Sequence, residues 1–88
     1  MTKWRRCDEW IGTQVEDQFV MIHIDSGRYV ALNQSASEAW DALEQPQTET
    51  DLVEVLRRRF DVDAETAAGS VAGLIEKMRS MELVQEVV

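Results

Sequence analysis

The stretch Trp10-Ile-Gly-Thr-Gln-Val-Glu-Asp-Gln-Phe-Val-Met-Ile-His-Ile-Asp-Ser-Gly-Arg-Tyr-Val-Ala-Leu32 decides the fold. It is rich in β-branched and aromatic residues, and the turn signal Asp25-Ser26-Gly27 divides two of its runs, which reads as strands. A three-residue loop of Asp25, Ser26 and Gly27 sets Ile24 opposite Arg28, Ile22 opposite Val30 and Val20 opposite Leu32, collecting the aliphatic side chains on one face. A two-residue loop sets Ile22 opposite Ala31 and Val20 opposite Asn33 and mixes the faces, so the longer loop is expected. Gly27 then takes the left-handed position of a type I turn with a G1 bulge. A shorter strand, Trp10 to Val15, precedes the hairpin, with Glu16 and Asp17 in the turn.

After Leu32 the apolar period changes from two to helical. Ser35 followed by Glu38 is a capping-box pattern, and Ala36, Ala39, Trp40 and Leu43 share one face of a first helix that ends before Pro46. Residues 45 to 50 read as a polar connection; Leu52, Val53, Leu56 and Phe60 mark a second helix closed at Asp61. Asp63 is the expected N-cap of a third, longer helix running to about Ser80 or Met81. Leu83 to Val88 is a short apolar tail that docks as a strand or lies over the core.

The third helix carries an apolar arc wider than core closure requires: Ala64, Ala67, Ala68, Val71, Ala72, Leu74, Ile75, Met78 and Met81. Either it packs on both other helices, or one edge of the arc is the uncovered wall of a groove. Gly69 and Gly73 on its outer face read as tolerated surface glycines or as a place of close approach.

Eighty-eight residues bury one core, so one domain over residues 1–88 is expected, with its core at about 10–84 and an N-terminal tail at 1–9. Lys3, Arg5 and Arg6 of that tail read as solvated, and they hold three of the nine basic residues, leaving six against seventeen acidic ones. That leaves residues 7 to 88 at -11 on a chain of net charge -8, and a body that acidic repels a phosphate backbone, so no nucleic-acid partner is expected. One cysteine, Cys7, cannot make an internal disulfide, which favours a reducing compartment. The basic start is followed by Cys7-Asp-Glu rather than an apolar stretch, and no run is long enough to span a bilayer. A soluble, cytoplasmic protein with no membrane partner is expected.

Catalytic constellations are missing from the sequence. His23 lies, in the expected register, opposite Tyr29 and away from the aliphatic cluster, as a packing residue. Cys7 and His23 cannot supply a zinc site, and no Cys-x-x-Cys, His-Glu-x-x-His, phosphate loop or nucleophile elbow occurs. No enzyme activity, cofactor or metal is expected. Arg57-Arg58-Arg59 complements the negative end of the second helix, or forms a patch for an acidic partner.

The segment Asp25-Ser-Gly-Arg-Tyr-Val-Ala-Leu-Asn33, followed by Ala36 and Trp40, resembles the PqqD-like family of peptide-recognition domains. The closing Phe60-Asp-Val-Asp63 and Met81-Glu-Leu-Val84 fit as well, so the likeness spans about residues 15–84. It implies an α+β, winged helix-turn-helix-like fold: a three-stranded antiparallel sheet followed by three helices. It further implies a non-catalytic protein that binds the leader of a ribosomally made precursor peptide and delivers it to a separately encoded leader protease or other modifying enzyme. Free-standing members with the strand Gly-Arg-Tyr-Val-Ala-Leu-Asn look most like those of lasso-peptide biosynthesis. Members that assist a radical enzyme in pyrroloquinoline quinone formation tend to carry a glycine where Gln45-Pro46 stands here.

Residue chemistry supports such a role at two points. An edge strand can accept an extended peptide as a further strand, and apolar pockets against the third helix can select alternate side chains. The expected peptide-binding residues are Arg28, Tyr29, Val30, Ala31 and Leu32 on the strand, with Val71, Leu74, Ile75 and Met78 on the helix. Arg79 is available for a leader carboxylate, and Trp40 is core. The competing readings are a winged-helix DNA-binding regulator using Lys77 and Arg79, a PqqD-type chaperone for a radical enzyme, and a subunit that only stabilises a larger enzyme.

Overall fold

The structure, a computed structural model, describes residues 2–87. In chain order its elements are β1 (Lys3–Arg6), β2 (Trp10–Val15), β3 (Gln18–His23), β4 (Tyr29–Leu32), α1 (Gln34–Ala42), β5 (Gln47–Thr48), α2 (Glu49–Arg59), α3 (Ala64–Ser80) and β6 (Val84–Glu86). The expected meander is present as the antiparallel sheet β2-β3-β4, and the three helices follow it. A second small sheet, β5-β1-β6, was not expected.

The hairpin register differs from the sequence reading. Phe19 faces Leu32, Val20 faces Ala31, Met21 faces Val30 and Ile22 faces Tyr29. The His23 N–H donates to the Arg28 carbonyl at 2.7 Å, so the loop is Ile24 to Gly27, one residue longer than expected. The inward face is therefore Phe19, Met21, Val30 and Leu32, while Ile22 and Ile24 stay 49% and 58% exposed. Space explains the choice. Gly12 sits opposite Met21, and the Phe19 ring lies over it so closely that a Cβ there would collide with the ring. Gly27 does take the left-handed conformation, at φ 74. His23 lies opposite Arg28 rather than Tyr29, and on its other side it pairs with Trp10, its ring 5.1 Å from the Trp10 ring and edge-on to it.

The N-terminal residues are not a solvated tail. β1 pairs with β5 on one side and β6 on the other, Trp4 is buried, and the Arg6 guanidinium stacks 4.6 Å over Trp40. Part of the expected polar connection is thus strand β5, and the C-terminal residues dock as a strand on β1 rather than on the meander.

The helices follow local rules. Asn33, not Ser35, caps α1: its Oδ1 accepts from the Ala36 N–H at 2.9 Å, and Ala36, Ala39 and Trp40 are buried. Thr48 and Asp51 form a capping box on α2, and the three arginines 57 to 59 complement its last turn. Asp63 caps α3 as expected. Of the wide arc on α3, Ala67, Val71, Ile75 and Met78 are buried, Leu74 and Met81 half-buried, and Ala64, Ala68 and Ala72 exposed. Gly69 and Gly73 face open space.

Candidate functional site

Among the described residues strand β4 pairs with β3 alone, which leaves its other margin open. Because the Arg28 carbonyl bonds to β3, the alternation of an antiparallel ladder directs the backbone groups of Val30 and Leu32 the same way. The N–H and C=O of Tyr29 and Ala31 therefore point outward, two donors and two acceptors that a guest strand could satisfy.

Helix α3 runs beside this margin. Between them lies a cleft of about 160 Å³ lined by Ala31, Leu32, Asn33 and Ala36 on one side and Leu74, Lys77, Met78 and Met81 on the other. The cleft is apolar apart from Asn33 and Lys77. Four expected residues, Ala31, Leu32, Leu74 and Met78, meet there, Met78 as a buried floor. Val71 and Ile75 are 0% and 4% exposed, so they brace the helix from inside the core and have no surface to offer a guest. Arg79 lies outside the cleft. It borders a separate cavity of about 390 Å³ with Cys7, His23, Asp25 and Glu82. Lys77 and Met81 were not singled out from the sequence as groove residues. Met81 was in the apolar arc, and Lys77, four residues before it on the same side of the helix, was the signal available.

Arg28 closes the far end of the margin. Its Nε donates to the Ser26 hydroxyl at 3.3 Å, its guanidinium lies 5.9 Å over the Trp10 ring, and a terminal nitrogen stands 3.8 Å from a Glu82 carboxylate oxygen. The Glu82 carbonyl in turn accepts the Trp10 indole N–H at 3.1 Å, tying the end of α3 to β2. Ser26 is itself held by His23, whose Nδ1 accepts the Ser26 N–H at 3.1 Å.

The outer face of the meander exposes large apolar side chains. Ile11, Ile22 and Tyr29 form one cross-strand row, 62%, 49% and 77% exposed. Tyr29 and Ala31 belong both to this face and to the open margin.

Among the described residues no three His, Cys, Asp or Glu side chains gather as a metal-ligand set, and no helix is long and apolar enough to cross a membrane. Burial, reinforced by nearby Glu9, pushes the Cys7 thiol above its usual range, the opposite of what a reactive thiolate needs.

Residues 18–84 match the family model of coenzyme PQQ synthesis protein D (PqqD). No curated protein matches the chain in sequence. Two solved structures are similar in fold. The structure of TbiB1 in complex with the TbiA(beta) leader peptide has a TM-score of 0.80 and 21% identity over 92% of this chain and 94% of that one. A lasso peptide synthetase B1 complexed with the leader peptide has a TM-score of 0.78 and 20% identity over 93% of this chain and 96% of that one. The likeness in fold extends over more of the chain than residues 18–84, and the fold is α+β and winged helix-turn-helix-like.

Proposed function

The chain belongs to the PqqD family, and from that premise we propose that it is a non-catalytic leader-peptide recognition protein that takes its guest by β-strand addition. The observation that carries this reading is the open margin of β4 beside the Leu74 cleft. Among the described residues two backbone donors and two acceptors stand unpaired next to an apolar wall, and strand β6 docks elsewhere, on β1. Backbone bonds supply affinity that tolerates sequence variation, while the cleft reads alternate side chains. The similar folds of two leader-bound lasso proteins favour the leader of a lasso precursor as guest.

The guest is delivered to a leader protease or other modifying enzyme encoded separately. The exposed row Ile11, Ile22 and Tyr29 supports this hand-over, since it continues from the margin where the peptide sits and carries apolar area for a partner. The free, half-buried Cys7 fits a reducing cytoplasm. DNA reading is disfavoured by the net charge of -8 and by the placement of Lys77 and Arg79 on different cavities rather than on one basic face.

Titration with the leader of the precursor encoded beside this protein tests the reading. A saturable complex with Kd on the order of 1 μM or tighter, about 8 kcal/mol, is expected. Absence of saturable binding to neighbouring leaders contradicts it.

A further inference from the structure

The register of β4 fixes what a guest strand would meet, and it assigns a role to Arg28 that apolar pockets cannot fill. A strand added to this margin alternates its side chains whichever way it runs. Those placed opposite Leu32, Val30 and Arg28 point inward, toward α3, because these three share the inner face. The first meets the cleft formed with Leu74 and Met78, and the second meets the half-buried Val30 beside it. The third arrives at a guanidinium.

That guanidinium is held in place but poorly matched. Ser26 fixes its Nε and Trp10 supports its face, while its acidic partner Glu82 stands at 3.8 Å, beyond hydrogen-bond distance, with 77% of its side chain exposed. An ion pair this open contributes little, so a better-placed carboxylate can displace it. Lys77 on the cleft wall adds a second cation, so the groove carries local positive charge on a chain whose net charge is -8.

We propose that Arg28 is a specificity-determining residue that selects a carboxylate side chain at the third inward position of the guest, with Glu82 as its placeholder when the groove is empty. The guest class is then an extended segment with two apolar residues at alternate positions and an Asp or Glu at the next one. This rests on the reading of β4 as the docking margin.

A displayed library of randomised linear peptides, selected on the full chain and counter-selected on Leu74→Asp, tests both levels separately. Binders of the unaltered protein should show the alternating apolar pair with Asp or Glu at the next alternate position, after the pair in an antiparallel guest and before it in a parallel one, enriched about fivefold over Asn or Gln. Binders of Arg28→Glu should carry Lys or Arg at that position, and those of Arg28→Gln should show no charge preference. Binders of Lys77→Glu should keep the acid. Arg28 is exposed, so the variants should melt cooperatively. Alternating apolar binders without an acidic preference, or with one that Arg28→Glu leaves unchanged, overturn the assignment to Arg28 and leave the docking margin standing. Binders with no alternating pattern overturn both.

Discussion

Arg6 and Trp40 join the N-terminal strand to the first helix. The Arg6 guanidinium lies 4.6 Å over the Trp40 ring and donates two hydrogen bonds to the Trp40 carbonyl, at 2.9 and 2.6 Å. That carbonyl sits in the last turn of α1 and also accepts the Leu43 N–H at 3.2 Å, so the cation adds charge-assisted bonds to a weak terminal one and complements the negative end of the helix. Charge-assisted bonds and the stacked cation together contribute about 2 kcal/mol. Arg6→Ala should lower the urea midpoint accordingly and the melting temperature by about 10 °C. Arg6→Lys should recover only part of the loss, because an ammonium cannot make both bonds while stacking.

Leu74 and Met78 separate binding from folding. Leu74 is half-buried at the cleft, whereas Met78 is 1% exposed. Leu74→Asp should keep a cooperative melt and weaken leader binding at least about tenfold, by removing an apolar wall. Met78→Asp places an unpaired carboxylate in the core, at a cost of several kcal/mol, and should abolish the cooperative transition. Paired circular-dichroism melts and titrations check both.

Ala31 offers a substitution that acts on the margin alone. Its N–H points away from β3, so Ala31→Pro removes one outward donor and no ladder bond inside the sheet. Leader binding should fall about tenfold while the unfolding midpoint stays close to that of the unaltered chain. The neighbouring Val30→Pro would break a bond to β3 and should destabilise the fold, which provides the contrast.

Acid sensitivity should come from the helix caps. The Asp51 carboxylate accepts the Thr48 N–H and Asp63 accepts the Thr66 N–H, and these backbone bonds hold both carboxyls below the usual carboxylate range. A pKa lowered in the folded state adds stability that is present above the unfolded value of about 4 and is lost as pH falls through the folded value. Urea midpoints should therefore drop between about pH 5 and pH 2. The double variant Asp51→Asn, Asp63→Asn should show a flatter acid limb, since an asparagine caps without titrating.

Periodicity and caps made much of the architecture readable: three strands, three helices, the Asp63 cap and the buried Trp40 all follow from local chemistry. The hairpin register did not, because Phe19-Val-Met-Ile22 is apolar throughout and polarity cannot choose its inward face. The choice is made by the missing side chain of Gly12 on the next strand, which opens room for Phe19. Strand β1 was hidden for a related reason. Lys3-Trp-Arg-Arg6 looks solvated until Trp4 and Arg6 find partners far away in sequence, on β5, β6 and α1. In the candidate site, the strand residues and Leu74 were recoverable from pattern. Val71 and Ile75 were not separable from groove residues, since the side of an apolar arc that stays open depends on where the sheet ends. Arg79 and Lys77, two residues apart, face different cavities for the same reason of helical rotation.

Amide hydrogen exchange at Tyr29 and Ala31 probes the open margin most directly. In the free chain these two amides should exchange far faster than Val30 and Leu32, which are bonded to β3; at saturating leader peptide they should become protected, by about tenfold or more. A leader that saturates the protein while both amides go on exchanging as in the free chain would contradict strand addition at β4.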